Sequence, residues 1–405
     1  MKHKIQFTFL LLVAVFTNLY SQEFYYYRGL SSDILTEDSC WFTGPNGEGN
    51  SLKGQGFTVN NRQYIIGCEY VETKASWTVS GDNSKIILGD KSSSTNVTLN
   101  VLNGNTLTGV IEMSSESFKS GKEITLILSD PAIPTIETVG NNSTVKFSSA
   151  TGTQIIPSLT YYNLEISGSG SKILDGNITV TNSLSMTGNN LEFDLGNYTI
   201  SGSGTFLGYG TNTVLKTSNS QGLVGNITLT GSKTFSASLG YKFYGSSLQS
   251  TGFTSLGISD CDILNIENSS GVNLDSTITV TYNVKFTQGK FSLGNNNLIL
   301  GANCITSGNI GESNCIILNG TGIVKKNFYY DVYSYSPLVI PLSDVKGYAP
   351  VTFNTFTSNN SPGYFTFMTI GNKESHNTST TNYLKRYWEF KIGNFTSTPT
   401  ANITF

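Results

Sequence analysis

Polar and apolar residues alternate along most of this chain in short runs, and the runs recur. Between residues 176 and 225 they read NITVT, SLSMT, LEFDL, NYTIS, TFLGY and TVLKT. Strict alternation over such lengths predicts half-buried strands, because successive side chains of an extended chain point to opposite faces. Gly, Asn and Ser separate the runs and supply the positive φ and local side-chain bonding that turns require. A phrase repeats within this pattern. Residues 176–181 read GNITVT, 225–230 read GNITLT and 276–281 read STITVT, so the starts fall 49 and 51 residues apart. A longer match surrounds it: ITVTNSLSMTGNNLEFDLGNYTI (178–200) parallels ITVTYNVKFTQGKFSLGNNNLIL (278–300).

A fixed period of this size marks a stacked repeat architecture. Six short strands per period fit two coils of a β-helix, each with three strands. A kelch-type propeller shares the period, but its blades take four strands, and the paired-glycine and Trp/Tyr signature of such blades is missing. The pattern therefore predicts an all-β chain: a right-handed parallel β-helix with three strands per coil. Inward Ile, Val, Leu and Phe stack on their counterparts, and outward positions are Ser, Thr, Asn or Lys.

Changes in the pattern divide the chain. Residues 22–134 are less regular and richer in aromatics (Phe24, Tyr25, Tyr26, Tyr27, Trp41, Phe42, Trp77). They read as an N-terminal cap and the first coils, since an uncapped solenoid exposes an open core and unpaired strand edges. Residues 135–326 hold the clear repeats. Residues 327–405 carry longer aromatic runs, including GYFTFMTI and YLKRYWEFKI, spaced like the strands of an antiparallel sandwich. Ahead of these lies a leader-like segment, 1–21, with a basic start at Lys2 and Lys4 and the apolar run FTFLLLVAVF. Ser21 stands at a plausible cleavage point, and the run is too short to span a bilayer. The expectation is a secreted or cell-surface protein without a transmembrane segment.

Composition narrows the function. Charged residues make up 13% of the chain, glycine numbers 42, and the net charge of −3 offers no basic footprint for nucleic acid. Export permits disulfides. Of the five cysteines, Cys40 with Cys68 is the first expected bridge and Cys304 with Cys315 the second; small apolar residues in the core are the alternative for each.

One stretch carries a resemblance. SATGTQIIPSLTYYNLEISGSGSKILDGNITV (148–180) closely resembles a phrase of large adhesin-like β-helix proteins exported through the type IX secretion route. There a Tyr-Tyr-Asn-Leu strand precedes Gly-Ser-Gly-x-Lys and a GNITV strand. Residues 24–49 and 56–66 resemble the N-terminal cap of those proteins, and NYLKRYWEFKIG (382–393) resembles the module that follows their helix. The resemblance implies a structural protein of the cell surface or exterior, and it brings no catalytic residues. Such proteins close with a sorting domain, which is not found before Phe405. The chain also stops within the strand-like ANITF, so a continuation beyond Phe405 is expected.

Candidate chemistry is sparse. His376 is the one histidine beyond the leader-like segment, in a Ser/Thr/Asn-rich loop. Polysaccharide lyases and glycoside hydrolases built on β-helices need clustered carboxylates or a Lys/Arg base. The best candidates are Asp260 and Asp262, which i and i+2 place on one side of a strand; Arg28, Arg62 and Arg386 all lie outside the clear repeats. The pairs Thr179/Thr181, Thr228/Thr230 and Thr279/Thr281 are candidates for a flat hydroxyl array that binds sugars or ice, although threonine is also an ordinary outward strand residue. No metal or cofactor is expected. The leading expectation is a non-enzymatic, adhesin-like protein presenting a long neutral face to glycans or surfaces.

Overall fold

Alternation decides which side chains enter the core. In Val97–Val101 the residues Val97, Leu99 and Val101 are buried, while Thr98 and Asn100 reach the surface. The same rule holds at Ile124–Leu128 and Ser143–Phe147, which stack on it in parallel with Leu99, Leu126 and Val145 in register. The computed structural model describes residues 22–28, 35–89, 95–113, 122–329, 337–357 and 362–405. Its coils form a parallel β-helix of about 12 turns with 49% strand and 3% helix. The expected leader, 1–21, and the cleavage point at Ser21 lie outside the described residues. No helix among the described residues is long and apolar enough to cross a membrane.

The stack is built from sheets that replace one another along its length. One sheet joins Glu23–Tyr27, Arg62–Ile66, Lys85–Leu88, Val110–Met113 and Thr135–Val139. A second runs from Tyr70–Glu72 to Lys233–Phe235. A third runs from Thr153–Ile156 to Val324–Phe328, and a fourth from Gln249–Ser250 to Leu342–Asp344. Ile178, Ile200 and Ile227 lie one above another, so GNITVT and GNITLT are two coils apart, as the spacing predicts. The propeller alternative is thereby excluded.

The third copy of the phrase differs. Ile178–Met186 belongs to the second sheet and Ile278–Gln288 to the third. Along the third sheet Phe193, Leu215, Tyr241, Leu264 and Val284 follow one another in register. Phe193 lies one face on from Leu184 within its own coil, and Leu184 is the counterpart of Val284 in the repeat. The 178–200 and 278–300 copies are therefore separated by four coils and one face.

At the N-terminal end Trp41, Phe57, Tyr64 and Trp77 form an aromatic plug, with ring centroids 5.3–6.5 Å apart. The Trp41 indole donates to Leu35 O at 3.0 Å. Trp41–Phe42 closes the edge of the first sheet as an antiparallel strand on Glu23–Tyr27. The expected Cys40–Cys68 bridge is not formed: Cys68 is a thiol, half-buried against the core beside this plug, and burial pushes it up to about 11. The second expected pair, Cys304 with Cys315, is likewise two buried thiols, the small-apolar-residue alternative.

At the other end the boundary expected at 326/327 falls inside one strand. Val324–Phe328 stacks in parallel on Leu298–Leu300 and pairs antiparallel with Gly363–Ile370, which pairs with Tyr387–Gly393. A second antiparallel layer holds Leu338–Ile340, Val351–Thr357 and Thr400–Thr404. Phe328, Phe353, Phe356, Phe365 and Phe367 interlock between the layers. Arg386 clamps this sandwich to the last coil, donating to both Asp344 carboxylate oxygens at 2.8 and 3.0 Å and to the carbonyls of Gly347 and Tyr348.

Candidate binding cleft where the solenoid meets the sandwich

Three successive rungs make the floor of a cleft. Thr279, Ile299 and Lys325 lie in register, with Val280, Leu300 and Lys326 pointing inward beside them. Two residues further on, Thr281, Gly301 and Asn327 continue the outward surface. Gly301 keeps the floor low, since a Cβ there would stand 3.1 Å from Thr281 Cα and from Val280 O. The wall is the antiparallel strand Gly363–Ile370, in which Tyr364 pairs with Asn327. Tyr364 leans over Gly393, its partner on the next strand, where any Cβ would meet the ring at 2.4 Å. The Lys325 ammonium lies over the Tyr364 ring, 4.0 Å from its centroid. Asn303, Tyr329 and Asn394 complete the rim of a cavity of about 510 Å³. Tyr329 is 61% exposed, so a broad aromatic face meets solvent at the mouth.

Behind the floor Lys326 is buried. Its ammonium donates to the carbonyls of Gly301, Ala302 and Cys304 at 2.6, 2.8 and 2.8 Å. Loss of bulk water pushes it down to about 8. Burial pushes the neighbouring Cys304 thiol up to about 12 and the Cys261 thiol well above its usual range, so neither is a ready nucleophile.

The predicted residues fall around this cleft unevenly. Thr279 and Thr281 line it. Asp260 and Asp262 sit one rung away: Asp260 is in register with Thr279, and Asp262 accepts from the Thr281 hydroxyl at 2.9 Å. Asp260 accepts from Ser259 at 2.6 Å, and neither carboxylate lines the cavity. Thr179, Thr181, Thr228 and Thr230 lie on the other sheet system, away from Thr279 and Thr281. Ser201 stacks on Thr179 and separates it from Thr228, so the pairs form no continuous array. Four of these hydroxyls bond the preceding coil instead: Thr181 to Tyr161 O, Thr228 to Ile200 O, Thr230 to Gly202 O and Thr281 to Cys261 O, at 3.2–3.3 Å.

His376 is exposed in its loop. Its Nδ1 takes both Glu374 at 2.7 Å and the Ser375 hydroxyl at 3.4 Å, whereas a relay needs the two partners on opposite ring nitrogens. Arg62 is spent on Glu23 and Gln55. Among the described residues no group of three or more His, Cys, Asp or Glu is placed to hold a metal ion.

Sequence reasoning missed Lys325, Tyr329, Tyr364 and Asn394. The cleft joins rungs of the helix to a sandwich strand far along the chain, a pairing that no local pattern encodes. The tyrosine-rich change of pattern after Phe328 was the available signal. No family model matches this chain, and neither does any curated protein or solved structure.

Proposed function

We propose that this protein is a secreted or surface-exposed, adhesin-like solenoid that binds glycan in the cleft between helix and sandwich. The observation that carries the reading is the chemistry of the lining. An exposed tyrosine face stands beside three amides, two hydroxyls and one ammonium, with no carboxylate among the lining residues. Aromatic faces accept the apolar faces of sugar rings, and amides and hydroxyls match their hydroxyl groups. Glycoside hydrolysis needs two carboxylates flanking the bond, and the lining holds none. The leader-like start and the resemblance to adhesin-like β-helices support the compartment.

Glycan-array screening of the intact chain, followed by calorimetric titration of the hits, tests this. Tyr329→Ala is expected to weaken binding about tenfold, roughly 1.4 kcal/mol. Unchanged affinity in that variant, or no glycan bound at all, removes the reading. A second reading rests on Asp260 and Asp262, one rung below the floor. Release of reducing or unsaturated ends from a polysaccharide, abolished by Asp262→Asn, favours an enzyme instead.

A further inference from the structure

The lysines of the solenoid wall show how this protein handles outward positive charge. Lys85 pairs with Glu112 on the next coil and Glu137 two coils on, and Lys146 with Glu165, Lys216 with Glu192 and Asp194, and Lys242 with Glu267 pair across neighbouring coils. Lys285 and Lys325 also face outward and are in no ion pair among the described residues, and of the two only Lys325 lines the cleft. Its stem is laid so that the ammonium rests on the Tyr364 ring, which holds it at the cleft without neutralising it. Nearby charge is limited. Asp260 lies three rungs from Lys325, about 14 Å at ~4.8 Å per rung, and Asp262 is engaged by Thr281. Across the sandwich strand Thr366 and then Lys391 continue the row, and Lys391 is paired with Glu389 at 3.2 Å. Among the described residues Lys325 is thus a held cation without an ion-pair partner, in a cavity whose lining carries no acid.

We propose that the cleft selects carboxylate-bearing polysaccharide, a uronic-acid chain, with Lys325 anchoring a sugar carboxylate and Tyr364 positioning Lys325. This rests on the glycan-binding reading above and adds the ligand's charge. Asn327 and Asn394 flank the same end of the cleft and offer amides to the hydroxyls beside that carboxylate. The missing counter-charge comes with the ligand.

The test titrates the intact chain with hexagalacturonate, with its carboxyl-reduced neutral counterpart and with an oligoglutamate of equal charge. The acidic sugar is expected to bind at least tenfold more tightly than the neutral one, with affinity falling as salt rises. Lys325→Met is expected to erase that preference and Lys325→Arg to keep it, because arginine also stacks on a ring. Tyr364→Leu is expected to reduce it about threefold, with the far-ultraviolet spectrum and melting midpoint of each variant confirming the fold. Equal binding of acidic and neutral sugar, or a preference that survives Lys325→Met, overturns the proposal while leaving the glycan reading intact. Equal binding of the oligoglutamate overturns it in favour of a general polyanion site. Binding of neither sugar overturns the proposal, and the glycan reading then stands or falls with the array screen.

Discussion

A lysine ammonium buried from bulk solvent is held at Lys326 by three carbonyls at the turn behind the cleft. Lys172 repeats the device lower in the stack, donating to Ser149 O and Ser169 O, with its ammonium also pushed down to about 8 by burial. Both sit in inward columns, Lys326 after Val280 and Leu300 and Lys172 between Gln154 and Phe193, and the alternation rule read such lysines as outward. The charge is tolerated because the coil corners leave carbonyls without strand partners, and the long stem crosses the core to reach them. Gln154 and Gln249 serve other corners in the same way. Protonation has a stability consequence. Between pH 8 and about 10.5 the unfolded chain keeps the proton on Lys326 that the folded chain has released. Unfolding then takes up a proton, so this group's contribution to stability rises with pH across the window and is flat below it. Urea unfolding of wild type and Lys326→Met at pH 7.5, 8.5 and 9.5 reads this out. The wild-type-minus-variant difference is expected to rise by up to ~1.4 kcal/mol per pH unit, over a thiol contribution that falls with pH in both proteins; parallel curves would sink the idea. The pH range stops short of tyrosine ionisation, which acts in the opposite direction at Tyr161 and Tyr241, where burial raises the phenol.

At the level of the coil, alternation and turn residues were enough to find the strands, because each rung buries one side and wets the other. The face each strand occupies was not legible. A corner can add or drop residues without touching the inward pattern, so even spacing of the phrase hid the change of sheet between 178–200 and 278–300. The bridge expected between Cys40 and Cys68 came from counting, and the plug of stacked rings closes that end instead. Coil register yields a direct test. Ile178 with Ile200, Ser183 with Thr205 and Glu192 with Val214 are each offset by the same 22 residues. Deleting residues 178–199 removes one whole turn and leaves every neighbour in register. That variant is expected to fold and unfold cooperatively with a helix shorter by about 4.8 Å. Deleting 178–188 cuts half a turn, sends apolar residues outward and is expected to abolish folding. Circular dichroism, urea titration and small-angle scattering compare the two, and equal behaviour contradicts the assigned register.

For the molecule as a whole, the last rung belongs to helix and sandwich at once, and the Arg386–Asp344 ion pair joins the two parts beside that backbone ladder and the Thr306 hydroxyl on Val339 O. Asp344 has a side chain only 2% exposed, so removing its partner leaves a buried carboxylate without counter-charge. Arg386→Ala is expected to cost about 3 kcal/mol and to split thermal unfolding into two steps, the sandwich first. Joint replacement by Arg386→Met and Asp344→Leu is expected to recover much of the loss. Calorimetry decides, and a single unshifted transition in Arg386→Ala shows that the backbone ladder and apolar packing join the parts without the ion pair. The cleft depends on this junction, which explains why it was invisible in either half of the chain read separately. The carboxylates Asp260 and Asp262 were found because they are neighbours in sequence, and Lys325 and Tyr364 were missed because they are neighbours only in space.

The extra face between the two parallel copies of the phrase bears on how such a tower gains surface. A segment duplicated as a whole number of turns would print its outward residues directly above the original, lengthening one stripe. A copy that lands a third of a turn out of phase prints them at a new azimuth. In this chain that rotation carries Thr279 and Thr281 off the side occupied by Thr179 and Thr181 and onto the one flank where the sandwich strand descends to meet them. The same short phrase is plain wall at one height and the floor of a cavity at another, and height and angle together decide which.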